Sequence, residues 1–497
     1  MTTPKFVLGG DLSRRGFLAT ASTAAAGFGS VRISCAERAS ASSSSETASE
    51  KSNSLALDLA TVPNFCSHEH WGSFDSIGTF PGGFRADIVQ GATPTRRTGL
   101  FDILLDPYFG GFLATSGINP NEIARKAGSE SIHSLATQSP AKALDLLRPA
   151  IERQKFTGAY QCIRRGLLSL YGVDIATYDG QAIVQIDSAI AKNYSDIFPW
   201  YQRAMAAAHF TDLIRIVHPE FYVREESAQT AAQEAAFTHT LMRIDPLVGL
   251  WAKESPRRDG LAKITGVDPS DARSWREFIA KLFDLAAAHR GIGIKQLQAY
   301  TRSLEFLPRK DSEVVWRGDL SPAQVRVFQD WVVHECCKQA HDRGWVHQIH
   351  VGTNNITECN PMPLALLAKP YSRMNIVMLH CWPFLKEAGW LAKFYPNIYI
   401  NTCWQPVLNP EFLAEALTGW LNYVPIYKIT CDHDSTSVEM AVGSSLFTRE
   451  IIAEVLIERT RHLGMNIRDL KSAALDMLHN NAVPLYRIGK EISVDEI

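Results

Sequence analysis

The sequence predicts an α/β protein folded as a (β/α)8 TIM barrel, with a large, mainly helical insertion after the first strand. From residue 55 onward, apolar strand-like runs alternate with helical patterns, which is typical of a parallel sheet. The runs number eight, as this barrel requires. They lie near residues 60–67, 211–217, 244–250, 291–299, 345–351, 374–381, 397–403 and 426–432.

The composition is that of a globular protein. The chain has 497 residues, 46% of them hydrophobic, and a net charge of −2, which argues against binding to nucleic acid through bulk charge. The longest apolar runs are shorter than the roughly 18 residues of a transmembrane helix. The nine cysteines form no CxxC pair, so we expect them to be buried free thiols. A small-molecule substrate is expected, and homo-oligomerisation is left open.

The N-terminal segment predicts export. Residues 1–35 contain Ser13-Arg14-Arg15-Gly16-Phe17-Leu18 followed by an Ala-rich apolar run, which resembles a twin-arginine signal. Arg32 argues against lipid modification of Cys35, because an aliphatic residue is usual at that position. Residues 36–54 are rich in serine and predict a disordered linker. We therefore expect a periplasmic or other extracytoplasmic location.

Residues 55–490 are expected to form the barrel, with an insertion over residues 73–205. That segment contains helical patterns at 141–153, 160–171 and 200–209, and it is far longer than a helix with two loops requires. We expect it to cover the C-terminal mouth of the barrel. A further helix is predicted over 322–343, with Gly344 placed to end it.

A His-x-His pair ends the first predicted strand, in Phe65-Cys66-Ser67-His68-Glu69-His70. Residues i and i+2 of a strand face the same side, so His68 and His70 present two imidazoles to one point, as a divalent metal requires. The same alternation predicts that Cys66 packs beneath the metal and that Glu69 faces the helices. Alone, the pair is weak evidence.

Further candidate ligands end other predicted strands, at the edge of a barrel where active sites gather. His350, His380 and Asp432 each stand at such an end. His347 is expected to face outward instead. Lys295, within an apolar strand, could be carbamylated and bridge two metals, hold a substrate carboxylate, or pair with a buried acid.

These residues carry a resemblance to the amidohydrolase superfamily, in particular to a branch that also occurs fused to glutamine-synthetase-like domains. The resemblance covers about residues 60–490, and only loosely 73–205. The matching motifs are Ser67-His68-Glu69-His70, Ile294-Lys295-Gln296-Leu297-Gln298-Ala299-Tyr300, Gln348-Ile349-His350-Val351-Gly352, Leu379-His380-Cys381-Trp382-Pro383, Tyr395-Pro396-Asn397-Ile398-Tyr399-Ile400, Lys428-Ile429-Thr430-Cys431-Asp432 and Arg449-Glu450-Ile451-Ile452-Ala453-Glu454.

The resemblance implies a divalent metal, usually zinc, with His68, His70, His350 and Asp432 at the ion. His380 would lie close by, as a ligand or a substrate contact. One ion is expected, or two if Lys295 is carbamylated. The chain departs from the pattern in Cys431-Asp432-His433-Asp434, so Asp434 is an alternative to Asp432. It also departs at Arg302, which stands two residues after Tyr300 rather than directly after it.

The expected function is that of a metal-dependent hydrolase, in which activated water attacks an amide or ester-type bond of a small, carboxylate-bearing substrate. Asp432 would accept and deliver the proton, and His380 would polarise the carbonyl. Lys295 or Arg302 would anchor the carboxylate. The alternatives are a non-oxidative decarboxylase, a sugar-acid isomerase and an exported binding protein without catalysis.

Overall fold

Eight parallel strands form one sheet, and their order in the sheet follows their order in the chain. The computed structural model describes residues 57–71, 79–80, 84–85, 97–177, 179–223, 228–353 and 355–497, so the signal segment and the linker lie outside the described residues. The predicted (β/α)8 barrel is confirmed. Its strands are β1 Asn64–Glu69, β2 Phe210–Val217, β3 Thr238–Arg243, β4 Gly291–Gln296, β5 Val346–Val351, β6 Asn375–His380, β7 Ile398–Asn401 and β8 Ile429–Thr430.

One predicted strand was placed wrongly. The apolar run 244–250 is a loop containing a short 3-10 turn at Leu247–Gly249, and the third strand is Thr238–Arg243. Leu247 and Leu250 are buried in the core all the same. A run of apolar residues indicates burial, and here burial is reached by a loop that packs down after the strand has ended.

Isolated hydrogen bonds join the first and last strands of the sheet, in addition to the regular pairing of neighbouring strands. The amide of Asp434 donates to the carbonyl of His68 at 3.2 Å, and the amide of His70 donates to the carbonyl of Ser435 at 2.9 Å. The Asn64 side chain donates to the carbonyl of Cys431 at 3.4 Å. The two backbone bonds bring the C-terminal tips of β1 and β8 together, and the Asn64 bond ties the start of β1 to the end of β8.

Helices follow most strands and also build the insertion. The predicted helix at 322–343 is confirmed, and Gly344 ends it with a φ of 63°. The helices are α1 Leu100–Leu104, α2 Pro107–Thr115, α3 Pro120–Lys126, α4 Ile132–Gln138, α5 Pro140–Gln154, α6 Gly158–Tyr171, α7 Gly180–Tyr194, α8 Ile197–Ala207, α9 Ala228–Ala235, α10 Pro256–Thr265, α11 Ala272–Ala288, α12 Pro322–Arg343, α13 Ala365–Ala368, α14 Leu385–Phe394, α15 Gln405–Leu408, α16 Pro410–Trp420, α17 Val438–Leu463, α18 Ile467–Leu475 and α19 Ala482–Tyr486.

The insertion between β1 and β2 is mainly helical, as predicted, and comprises α1 to α8. It has its own apolar core, which also takes in Met440 and Val442 of α17. The helices α6 and α17 cross at glycines: a Cβ at Gly166 would collide with the carbonyl of Glu439, and one at Gly443 with the carbonyl of Cys162. Close backbone approach here requires glycine.

Side chains of the barrel strands divide between an inner and an outer core. Val346, Val377 and Leu379 belong to the cluster inside the barrel, whereas Ile349 and Met378 pack against the surrounding helices. Within the described ranges, no helix is long and apolar enough to cross a membrane. The described cysteines are buried and unbridged, as expected.

Candidate metal centre

The C-terminal end of β1 presents two histidines, and the alternation of inward and outward side chains is interrupted within this strand. The pairing of β1 with β2 shifts register between Cys66 and Glu69. Phe65 packs inside the barrel, whereas Cys66 joins the apolar core of the insertion. The expectation that Cys66 lies beneath the metal is therefore wrong, since a register shift of this kind reverses the side to which the following residues point. The rings of His68 and His70 lie 5.1 Å apart.

Asp434 is the carboxylate that meets these histidines. Its Oδ2 lies 3.5 Å from Nε2 of His68 and 3.4 Å from Nε2 of His380, and its Oδ1 lies 3.5 Å from Nε2 of His70. Asp434 is 2% exposed. Three imidazoles from β1 and β6 therefore converge on one carboxylate beyond the end of β8.

Gln348 on β5 fixes the tautomer of His68. The Gln348 amide nitrogen donates to the carbonyl of Ser67 at 2.8 Å and lies 2.7 Å from the hydroxyl of Tyr486, which orients the amide. The Gln348 Oε1 then lies 2.5 Å from Nδ1 of His68, which must donate to it. Nε2 of neutral His68 is left with a lone pair directed at Asp434. Gln348 was not singled out from the sequence, although its alternation with His350 marks it as facing inward.

The tautomer of His380 is fixed in the same way. Its Nδ1 lies 2.8 Å from the carbonyl of Cys403, which can only accept, so Nδ1 carries the proton and Nε2 has the lone pair. Burial lowers the pKa of His380 to about 3, so the ring is neutral at pH 7. A neutral His380 with this tautomer accepts at Nε2, which suits a metal ligand and does not suit the carbonyl-polarising donor expected from the sequence.

These contacts fit a divalent metal. Nε2 of His68 and Nε2 of His380 carry lone pairs 3.4–3.5 Å from a carboxylate oxygen of Asp434, and Lys295 Nζ and His350 Nδ1 lie 3.3 and 3.0 Å from the same two nitrogens. Imidazole lone pairs and carboxylate oxygens of this kind are the donors that bind a divalent ion. Ligand atoms at about 2.0–2.2 Å from a tetrahedral ion lie roughly 3.4 Å from one another. His68, His70 and Asp434 therefore have the spacing and the chemistry of a metal site. The side-chain orientation that Gln348 imposes is what metal-bound histidines receive from their outer partners.

Lys295 lies beside the same histidines. The register pairs Arg243 of β3 with Lys295 of β4, and Lys295 with Gln348 of β5. The Lys295 Nζ lies 3.3 Å from Nε2 of His68. Burial, opposed by the carboxylate of Asp434, lowers the pKa of Lys295 to about 8. Lys295 was predicted at the site, and the structure places it there.

Asp432, the strand-end acid preferred from the sequence, lies elsewhere in the barrel tip. Its Oδ2 accepts from the Ser67 hydroxyl at 2.6 Å, and its Oδ1 accepts from the amide of His433 at 2.9 Å. Burial raises its pKa to about 7. Among the described residues, the group of side chains that could hold a metal together with His68 and His70 includes Asp434 and not Asp432. The physical reason is the backbone of Asp434, whose φ of 55° returns its side chain to the histidines.

His350 and His347, which were also singled out from the sequence, face opposite sides of β5. His350 faces inward: its Nδ1 lies 3.0 Å from Nε2 of His380, and its Nε2 lies 2.7 Å from the Thr353 hydroxyl. His347 faces outward, as expected, with its Nδ1 3.6 Å from Sγ of Cys337 on α12.

Arg302 is committed to the fold. Its guanidinium donates to Asp330 at 2.7 Å and to the carbonyl of Glu305 at 2.6 Å, and it stacks on Phe306. Arg302 is 8% exposed. The structure therefore does not support the substrate-anchoring role that the sequence suggested, because all three guanidinium nitrogens of Arg302 already donate to groups within the fold.

Glu69 faces away from the histidines, as predicted, and ties β1 to the segment after β8. Its Oε1 lies 3.0 Å from Nδ1 of His433, and its Oε2 accepts from the amide of Ser435 at 2.9 Å. The other ring nitrogen of His433 lies 2.7 Å from Oδ1 of Asn64. This buried bridge holds the tip that carries His68 and His70 against the tip that carries Asp434.

Comparison with known proteins gives distant similarity. No family model matches the chain. Protein fluG of Emericella nidulans is 22% identical over 337 residues, which is 63% of this chain and 36% of that protein, so the chain spans about a third of its curated relative.

Solved structures match over most of the chain. A uronate isomerase from Thermotoga maritima gives a TM-score of 0.66 at 13% identity, covering 86% of this chain and 95% of the other. A glucuronate isomerase from Caulobacter crescentus gives 0.60 at 16% identity, covering 87% and 93%. A candidate metal-dependent hydrolase from Lactobacillus casei gives 0.54 at 15% identity, covering 86% and 96%.

At these identities the similarity concerns the fold, and it agrees with the resemblance of the strand-end motifs. This chain combines an eight-stranded parallel sheet with a helical insertion after β1 and with histidines at the strand ends. The chain therefore has the (β/α)8 fold that these solved enzymes share.

Proposed function

We propose that this protein is a metal-dependent hydrolase that cleaves an amide or ester-type bond of a small carboxylate-bearing substrate. His68, His70 and Asp434 would hold one divalent ion, for which zinc suits the mixed nitrogen and oxygen donors. The observation that carries the proposal is the set of 3.4–3.5 Å contacts from Asp434 to imidazole nitrogens, two of which have fixed lone pairs.

The mechanism assigns one task to each side chain. When bound, a divalent ion supplies a Lewis acid that polarises a substrate carbonyl and lowers the pKa of an attacking water. Asp434 is the carboxylate placed to accept the proton of that water and to deliver it to the leaving group. This is the role that the sequence suggested for Asp432. His380 accepts at Nε2 and adds no positive charge to the site, since its pKa of about 3 leaves it neutral.

Turnover assays with metal removal test the proposal. N-acyl amino acids, amides of small diacids and lactones form the panel, and the Asp434→Asn variant is assayed beside the wild type. We expect at least one substrate to be hydrolysed, chelation to abolish the rate, and readdition of metal to restore it. Hydrolysis that persists both after chelation and in Asp434→Asn would show the mechanism to be wrong.

A second candidate is isomerisation of a sugar acid. It is favoured by the fold similarity to a uronate isomerase and a glucuronate isomerase, whose TM-scores of 0.66 and 0.60 exceed the 0.54 of the candidate metal-dependent hydrolase at nearly equal coverage. Both reactions need a carboxylate that moves a proton beside a metal. Conversion of glucuronate or galacturonate to the keto sugar, without hydrolysis of any panel member, would favour the isomerase. Release of CO₂ from a carboxylic acid would favour the decarboxylase alternative.

A further inference from the structure

A pocket opens beside the metal residues at the ends of β3 and β4. Its volume is about 400 Å³, and its walls include Arg243, Asp245, Val248, Leu297 and Tyr300. The Tyr300 ring lies 4.4 Å from the ring of His350. The pocket therefore adjoins His350 and combines one cationic side chain with apolar walls, as small-molecule sites commonly do.

Arg243 and Lys295 are cross-strand neighbours that face the barrel interior. They are paired in the register of β3 and β4, and residues so paired present their side chains to the same face. Leu241 packs inside the barrel and Met242 outside it, so alternation also directs Arg243 inward. Like charges placed side by side are destabilising, and an anion between them relieves the repulsion.

The surroundings of Arg243 contain more donors than acceptors. Its Nη1 lies 3.1 Å from Nε2 of His218, and Nη2 of Arg257 lies 2.6 Å from Nδ1 of the same ring. A guanidinium only donates, and a neutral imidazole accepts at one nitrogen. One arginine therefore faces an N–H rather than a lone pair. Glu220 pairs with Arg257, Asp245 pairs with Arg243 at 2.8 Å, and Asp434 is the carboxylate that acts on Lys295, so the three cations and three carboxylates balance until a divalent ion is bound.

The same cations act on the metal residues. Lys295 contacts His68 directly, since its Nζ lies 3.3 Å from Nε2 of that ring. A divalent ion in the site would add to this positive charge. An anionic group bound between Arg243 and Lys295 would offset it.

We propose that Arg243, together with Lys295, binds the carboxylate of the substrate, and that the substrate is a small acid whose carboxylate lies close to the reacting bond. This inference rests on the proposed function and adds the recognition site to it. Arg243 is one strand away from Lys295, which is about 4.8 Å in a sheet. Lys295 in turn touches His68. The carboxylate is therefore held beside the metal residues, and Val248 and Leu297, which line the pocket, are placed to contact the remainder of the molecule.

Calorimetric titration of acetate, malonate and succinate into the metal-reconstituted protein tests the proposal. We expect at least one of these acids to bind the wild type and Arg243→Gln to weaken that binding roughly tenfold or more, because a buried charge-assisted contact is lost. Arg243→Lys should restore part of the affinity. Arg317→Gln is the matched control: it removes an arginine that pairs with Asp268 at the surface, and it should bind as the wild type does.

Metal content, measured on the same samples, separates this inference from the proposed function. Arg243→Gln that keeps its metal and binds the acids within twofold of the wild type would overturn the inference while leaving the hydrolase proposal intact. Failure of the wild type to bind any of the three acids would also overturn it. Should Arg243→Gln not fold, the wild type is titrated with dimethyl succinate, which lacks the charge; binding equal to that of succinate would count against a carboxylate site.

Discussion

Left-handed backbone positions shape the candidate site at the scale of single residues. His380, Trp404 and Asp434 have φ values of 64°, 66° and 55°, and each follows or ends a barrel strand. Residues other than glycine adopt this conformation at a cost of about 1–3 kcal/mol, and functional sites are where such strain accumulates. The turns direct His380 and Asp434 toward β1, which an extended backbone would not do.

Gln348 is predicted to control metal affinity without touching the metal. Gln348→Met keeps the volume but removes the acceptor for Nδ1 of His68, so either tautomer becomes available. We expect metal affinity to fall roughly ten- to hundredfold, as for other outer partners of metal-bound histidines. Competition with a chromogenic chelator measures this. Gln339→Met, at a half-buried position on α12 beside Arg343, is the control; equal losses in both variants would contradict the account.

His347 predicts acid sensitivity of the fold. Burial lowers its pKa to about 3, against about 6.5 in an unfolded chain. Between these values the unfolded chain binds the additional proton, so stability is complete above pH 6.5 and declines as the pH falls toward 3. The contribution to the slope is up to about 1.4 kcal/mol per pH unit.

The variant His347→Gln removes this contribution. The free energy of unfolding, measured with denaturant from pH 7 to pH 4, should decline less steeply in the variant than in the wild type. Parallel curves for the two proteins would show that His347 does not supply the effect.

Several residues of the site followed from the sequence, because they obey alternation along a strand. Lys295, His350 and the outward His347 are examples. Asp434 was predicted only as the alternative to Asp432, since a left-handed residue breaks the alternation that favoured Asp432. Arg243 was missed for another reason: the third strand was placed at 244–250, so its true C-terminal residue was not considered as a strand end.

At the scale of elements, the site depends on how β1 meets β8. Only a few backbone bonds join these strands, and β8 has two residues. The Glu69–His433–Asn64 bridge adds side-chain bonds at this seam. The distance between His68 and Asp434 is thus set by buried polar contacts rather than by a long ladder.

The contact between α6 and α17 gives a prediction about the insertion. Gly443→Ala places a methyl group against the carbonyl of Cys162, so we expect a loss of about 1–3 kcal/mol and a lower Tm. Gly419→Ala in α16 is the control: its nearest neighbour, Cδ2 of Leu385, is 3.4 Å away, and replacing a helical glycine there should be neutral or stabilising. Thermal unfolding followed by circular dichroism compares the two, and a Gly443→Ala Tm at or above that of the control would be contrary to expectation.

Helices were easier to predict than strands. The helix at 322–343 has a Ser321 cap, Pro322 at its first position and Gly344 after its end, and each is a local signal. Short barrel strands carry few such signals. The third strand, Thr-His-Thr-Leu-Met-Arg, is less apolar than the loop that follows it, so hydrophobicity alone favoured the loop.

At the scale of the whole molecule, alternation of strands and helices was sufficient to predict the barrel, and the long interruption after β1 was sufficient to predict an insertion. Both features can be seen because the barrel repeats one strand–helix unit and the insertion interrupts that repeat. The N-terminal segment adds a separate expectation, because a paired arginine before an apolar run is read by an export receptor rather than by the fold.

Export is tested by replacing Arg14 and Arg15 with lysine together. We expect the protein to move from the exported to the cytoplasmic fraction, since the receptor requires the arginine pair. Immunoblots of cell fractions measure the change, with cytoplasmic and periplasmic marker proteins as controls. An unchanged distribution would exclude the twin-arginine route.

The central claim is that His68, His70 and Asp434 hold a divalent metal. Metal affinity of the wild type, Asp434→Asn and Asp432→Asn, measured by elemental analysis and chelator competition, tests it most directly. The account predicts about one ion per wild-type chain, a loss of more than about tenfold in Asp434→Asn, and retention in Asp432→Asn, whose carboxylate bonds to Ser67. A wild-type protein without affinity for divalent ions, or equal affinity in Asp434→Asn, would contradict the claim.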